Sequence, residues 1–248
     1  MNGLYFTGMV YEGVIIFITS VLLCLILFNY LKNRNILILL LFLLILSYFI
    51  AIFFSWLSKV LILYSNIDYL YDETIIDPLT SLSWILLRIS DFRISFLFLT
   101  VGTLFSYVFK VKIFEKSFKK KQKIIIIAYS IFTGFYSLVI YQKGNLILDL
   151  LAFFFVFLFM GIVYIPFMKS SIRSYKNSEI NNYKKAFFSL AVMSLSFVLI
   201  LLCFLIDRIY IFLGDFGFTF FYFMGWIFVI IGVIGAYFGY LHLHRKEN

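Results

Sequence analysis

The chain has 248 residues and a formal net charge of +9, with 64% hydrophobic and 13% charged side chains, among them 34 Phe and 18 Tyr. Soluble domains use about 45–50% apolar residues, so a soluble fold is excluded and one all-α integral membrane domain covering residues 1–248 is predicted. The basic excess sits in short segments between apolar runs, where it serves orientation and contact with anionic lipid, which excludes a nucleic-acid binder.

Seven apolar runs are predicted as spans, at about 14–31, 36–58, 81–108, 124–142, 146–168, 186–210 and 217–241. They are continuous rather than alternating, which favours helices over barrel strands. The opening MNGLYFTGMVYEG has no basic segment and no small-residue cleavage site, so the first run is expected to be retained. Pro78 and Pro166 are the only prolines, and unbroken helices are expected. Cys24 and Cys203 fall within spans and read as small hydrophobes.

Lys and Arg alternate in density from loop to loop. Lys32 and Arg34 follow the first span, Lys110 to Lys123 follow the third, Lys169 to Lys185 follow the fifth, and Arg245 and Lys246 close the chain. The opposite loops carry Lys59 and Lys143 beside the acidic Glu12, Asp68, Asp72, Glu73 and Asp77. The positive-inside rule then predicts a seven-helix bundle in the cell membrane with its N-terminus outside and its C-terminus in the cytoplasm.

The third span holds three charges, Arg88, Asp91 and Arg93, and charges inside a span face the bundle interior. Arg88 and Asp91 are three apart and can pair on one face with Trp84, whereas Arg93 lies about 200° further round and needs another partner. Asp149 opens the fifth span and Asp207 with Arg208 ends the sixth, at similar depth. A ligand-binding site is predicted from Trp84, Arg88, Asp91, Arg93, Asp149, Asp207 and Arg208, the alternative being an ion-pair network that only orders the helices. Polar stripes Ser130, Thr133, Ser137, Tyr141 and Ser189, Ser196, Cys203, Asp207 are expected to face inward. Gly225, Gly232, Gly235 and Gly239 in the last span permit close helix approach, within the bundle or across a dimer seam. His242 and His244, two apart, do not form a metal pair, and no cofactor is predicted.

The layout resembles microbial rhodopsins, yet residues 217–241 lack the lysine that would bind retinal. It resembles G-protein-coupled receptors in helix number alone, because no DRY-like triplet closes the third span and no NPxxY lies in the seventh. Trp84 and Arg88 opening the third span, the lysine-rich loop and the polar-ended sixth span look like the seven-helix sensor regions that precede some prokaryotic histidine kinases. That resemblance implies a receptor-like sensor of a small polar ligand with its output through a signalling partner. An enzyme is not predicted, because nucleophile and base combinations are missing from the sequence. A small-solute transporter and a structural or assembly subunit are the alternatives.

Overall fold

The computed structural model describes residues 2–65, 80–115, 117–215 and 217–244, with backbone alone for residues 2 and 242–244. Among them eight helices form: α1 (Asn2–Asn33), α2 (Ile36–Tyr64), α3 (Ser81–Ser90), α4 (Arg93–Phe114), α5 (Lys120–Val139), α6 (Leu146–Asn177), α7 (Asn181–Phe212) and α8 (Phe220–His244). All but α3 are long and apolar enough to cross a bilayer, so the protein is a multi-pass, all-α membrane bundle. Asp68, Asp72, Glu73, Asp77, Pro78, Lys116, Arg245 and Lys246 lie outside the described residues, as do the side chains of His242 and His244.

Short polar punctuation sets the helix ends. Asn35 and Asn145 cap α2 and α6 by accepting from the amides of Leu37 at 2.8 Å and Leu148 at 3.2 Å. Thr80 and Ser83 form a reciprocal capping box at the start of α3. Pro166 sits inside α6 without ending it.

Two expectations are corrected. The third span is broken: α3 ends at Ser90, Asp91 is its C-cap, and Phe92 takes a left-handed conformation (φ 62°) before α4 begins at Arg93. The first two spans are longer than predicted, so Glu12 and Lys59 lie inside α1 and α2, both with fully buried side chains, rather than in polar flanks. Both were misread because a charge near the end of an apolar run looks like an interfacial residue.

Neighbouring spans run antiparallel, so one end of the bundle gathers Glu12, Lys59, Arg88, Arg93, Asp149 and Arg208, here the arginine end. The other gathers the lysine-rich segments. The most extensive interfaces join α7 to α8 and α6 to α7. The α8 glycines serve the first of these: a Cβ on Gly235 would lie 3.1 Å from the Ser189 carbonyl oxygen, and one on Gly232 would lie 2.6 Å from the Phe197 ring. The seam is therefore used inside the bundle. Ser130, Thr133 and Ser137 of α5 and Ser196, Cys203 and Asp207 of α7 are buried, whereas Tyr141 and Ser189 of the same stripes are half-buried.

Candidate functional site

Arg93 is 1% exposed, and its guanidinium approaches the Asp149 carboxylate at 3.3 Å; Arg208 approaches the other Asp149 oxygen at the same distance. These contacts tie α4, α6 and α7 together, the three spans whose charges were predicted to meet. Both are longer than the roughly 2.7–2.9 Å of a charge-assisted hydrogen bond. The Arg93 Nε and Nη1 atoms have no hydrogen-bond partner among the described residues.

The remaining predicted residues are used differently. Among the described residues no ion pair joins Arg88 to Asp91. Asp91 still follows Arg88 on the same helical turn, its N–H bonded to the Leu87 carbonyl, but the two side chains are engaged elsewhere. Arg88 donates to the Leu138 carbonyl at 2.6 Å and to the Trp84 carbonyl at 3.2 Å, and its guanidinium lies 3.7 Å from the Trp84 ring centre. Asp91 accepts from the Tyr141 hydroxyl. Asp207 accepts from the Thr219 amide at 2.8 Å and hydroxyl at 2.7 Å, which fastens the start of α8 to α7. Trp84, 37% exposed, supports the Arg88 guanidinium with its ring and its carbonyl.

Sequence reasoning missed the most deeply buried charges. Lys59 and Glu12, each 0% exposed, pair at 2.8 Å. Glu12 also accepts from the Tyr222 hydroxyl at 2.5 Å and from Ser55 at 3.1 Å, joining α1, α2 and α8. The Lys59 ammonium lies 4.7 Å from the Phe92 ring centre, and the Arg208 guanidinium lies 5.1 Å from the same ring. Phe92, set in place by the helix break, therefore joins the two charge clusters.

Beneath Phe92 and Arg208 lies a cavity of about 70 Å³ between α2, α4, α6, α7 and α8. Its walls are mostly aromatic, with Phe96, Phe153, Phe197, Phe204 and Trp226 contributing, and Tyr48 lies on the wall toward the lysine-rich end. Ser95 and Trp226 line it, and the Ser95 hydroxyl and the Trp226 indole N–H have no hydrogen-bond partner among the described residues.

Tyr48 leads away from the cavity. Its hydroxyl lies 2.7 Å from that of Tyr164, which also hydrogen-bonds Ser106, and 3.4 Å from that of Thr103. All four side chains are buried, and together they join α2, α4 and α6. Tyr48 also stacks on Phe197 of α7, with ring centres 4.7 Å apart. Among the described residues no three His, Cys, Asp or Glu side chains are grouped as a metal site would need.

Comparison with protein-family models, with curated proteins and with solved structures gives no match, so the chemistry of this site is argued from its own residues.

Proposed function

We propose that the protein is a receptor-like sensor in which a small ligand enters at the arginine end, occupies the cavity beneath Phe92 and Arg208, and changes the packing of the lysine-rich end for a signalling partner to read. One observation carries this reading: Tyr48 is both cavity wall and part of a hydroxyl cluster shared by α2, α4 and α6. A ligand that moves Tyr48 alters contacts on three helices at once. Only a ligand that binds two arrangements of these helices unequally can do so.

The same proposal sets the arginine end outside the cell and the lysine-rich end in the cytoplasm, against anionic lipid. Its support is the alternation of basic loops. On a background with Cys24 and Cys203 replaced by alanine, a cysteine at Gly144 is expected to react with an impermeant thiol reagent in whole cells, and one at Ser178 is not. Labelling at Ser178 would reverse the orientation.

A ligand-independent experiment tests the coupling. A Cβ at Gly232 collides with the Phe197 ring, which lines the cavity, so Gly232→Ala is expected to push that ring into the free volume and imitate occupancy. Spin labels at Lys119 and Asn177 are expected to report a change of ~1–2 Å at the lysine-rich end, the size of common switching displacements. Gly225→Ala, which displaces Phe204, provides an independent filled form. Unchanged distances in both folded variants would sink the sensor reading.

The break at Asp91–Phe92 favours a transporter as the second reading, since transport sites are often built at discontinuous helices. Osmotic swelling of proteoliposomes in small solutes, blocked by Gly232→Ala, would support transport over sensing.

A further inference from the structure

Two guanidiniums meet one carboxylate at the arginine end. Asp149 faces both Arg93 and Arg208 at 3.3 Å, while Asp91 accepts from Tyr141 and Asp207 from Thr219. The three acids balance the formal charge of Arg88, Arg93 and Arg208, but neither Asp91 nor Asp207 forms an ion pair with an arginine among the described residues. Arg93 is thus buried with two nitrogens unpartnered. Leaving a buried polar group unsatisfied is costly, and more so when it is charged. Asp149 Oδ1 likewise has no hydrogen-bond partner among the described residues, so this arrangement is loosely paired on both sides. The free Arg93 nitrogens, with Arg208 beside them, suit a compact oxyanion whose two oxygens can face guanidinium N–H groups.

The apolar part of such a ligand has a place to go. The Arg208 guanidinium lies 4.8 Å from the centre of the Phe153 ring, and Arg208 and Phe153 both line the cavity. Asp207 lines it too, with its carboxylate taken up by Thr219, whereas Arg93 and Asp149 stand outside the lining and only Arg208 links the two. A cavity of about 70 Å³ is about half the roughly 150 Å³ that accommodates benzene, so it suits a tail of about three carbons. Ser95 offers a further hydroxyl along its wall.

We propose that the site binds a short-chain monocarboxylate, its carboxylate between Arg93 and Arg208 beside Asp149 and its alkyl tail in the aromatic cavity. This assignment rests on the cavity being the ligand site of the sensor, but its test does not depend on signalling. Phe92 also lines the cavity, its ring 4.7 Å from the Lys59 ammonium and 5.1 Å from the Arg208 guanidinium.

The experiment is a binding titration on the full chain in nanodiscs, by saturation-transfer NMR, with butyrate, butyramide, butylammonium, acetate and octanoate as probes. Butyrate is expected to bind at least tenfold more tightly than butyramide or butylammonium, and more tightly than acetate, whose tail is too short, or octanoate, whose tail is too long. Arg208→Gln is expected to weaken butyrate at least tenfold, and Gly161→Ala, on α6 with nothing closer than 3.8 Å to the new methyl, to leave it unchanged. Arg93→Gln is a second variant, but Arg208 is partly exposed and its replacement decides the matter if Arg93→Gln does not fold.

Equal binding of butyrate and butyramide, unaltered binding by folded Arg208→Gln, or absence of butyrate binding would each overturn the proposal. Tighter binding of octanoate than butyrate overturns the tail assignment in favour of a bilayer-derived fatty acid. If butyrate binds as expected while the Lys119–Asn177 distance does not move, the carboxylate site stands and the sensor reading fails.

Discussion

Glu12→Leu is expected to cost about 3–5 kcal/mol of stability, the typical penalty for breaking a buried ion pair from one side. Without the carboxylate, the fully buried Lys59 ammonium keeps the Ser55 carbonyl at 3.3 Å, the Ser55 hydroxyl at 3.5 Å and the faces of Phe92, Tyr222 and Phe218. Those contacts are too long or too weak to replace a carboxylate at 2.8 Å. Lys59→Met should be the milder change, because the remaining Glu12 still accepts from the Tyr222 and Ser55 hydroxyls. The double variant Glu12→Leu with Lys59→Met should recover much of the loss, since apolar side chains of similar volume can replace a buried pair at little cost. Thermal unfolding of the detergent-solubilised variants measures all three. A larger loss from Lys59→Met than from Glu12→Leu would mean that the hydroxyls do not support Glu12 as the geometry requires.

Gly235→Val is expected to be comparably damaging, at about 3 kcal/mol, the upper end of ordinary overpacking. Its Cβ would stand 3.1 Å from the Ser189 carbonyl oxygen, 3.2 Å from the Met193 amide nitrogen and 3.4 Å from the Met193 Cα. All three are backbone atoms in the middle of α7, so relief requires the whole helix to move away from α8. At Gly161 the nearest obstacle is the end of the Ile165 side chain at 3.8 Å. Gly161→Val should therefore leave stability within about 0.5 kcal/mol of the parent, as substitutions away from tight contacts do. Equal melting temperatures for the two variants would show that α7 and α8 do not rely on this close approach.

The spans and the meeting of Arg93, Asp149 and Arg208 were legible because hydrophobic run length reports burial in lipid, and similar depth brings distant charges to one level. The helix break was not. No glycine or proline marks Asp91–Phe92, and Phe is an uncommon residue in the left-handed region. Its conformation is stabilised by tertiary contacts, namely Lys59 and Arg208 on its ring, which no local pattern reveals. The Glu12–Lys59–Tyr222 cluster was hidden for a related reason. Its members come from three helices, with Glu12 and Tyr222 separated by 210 positions, and each sits where an interfacial residue is ordinary. The cavity is a property of ring packing, and ring packing has no signature in residue spacing.

The Tyr48, Tyr164, Ser106 and Thr103 cluster lies in a part of the bundle whose electrical character follows from the side chains around it. Every span contains a long run without Asp, Glu, Lys or Arg, between the charges of the arginine end and those of the lysine-rich end. This middle layer acts as the dielectric of a capacitor. Moving one elementary charge through a full membrane potential of 100 mV is worth about 2.3 kcal/mol, but a rearrangement of neutral hydroxyls and aromatic rings carries no such charge. On the sensor reading proposed above, a signal carried by these neutral groups would move no net charge through this layer, and its expected dependence on membrane potential is correspondingly small.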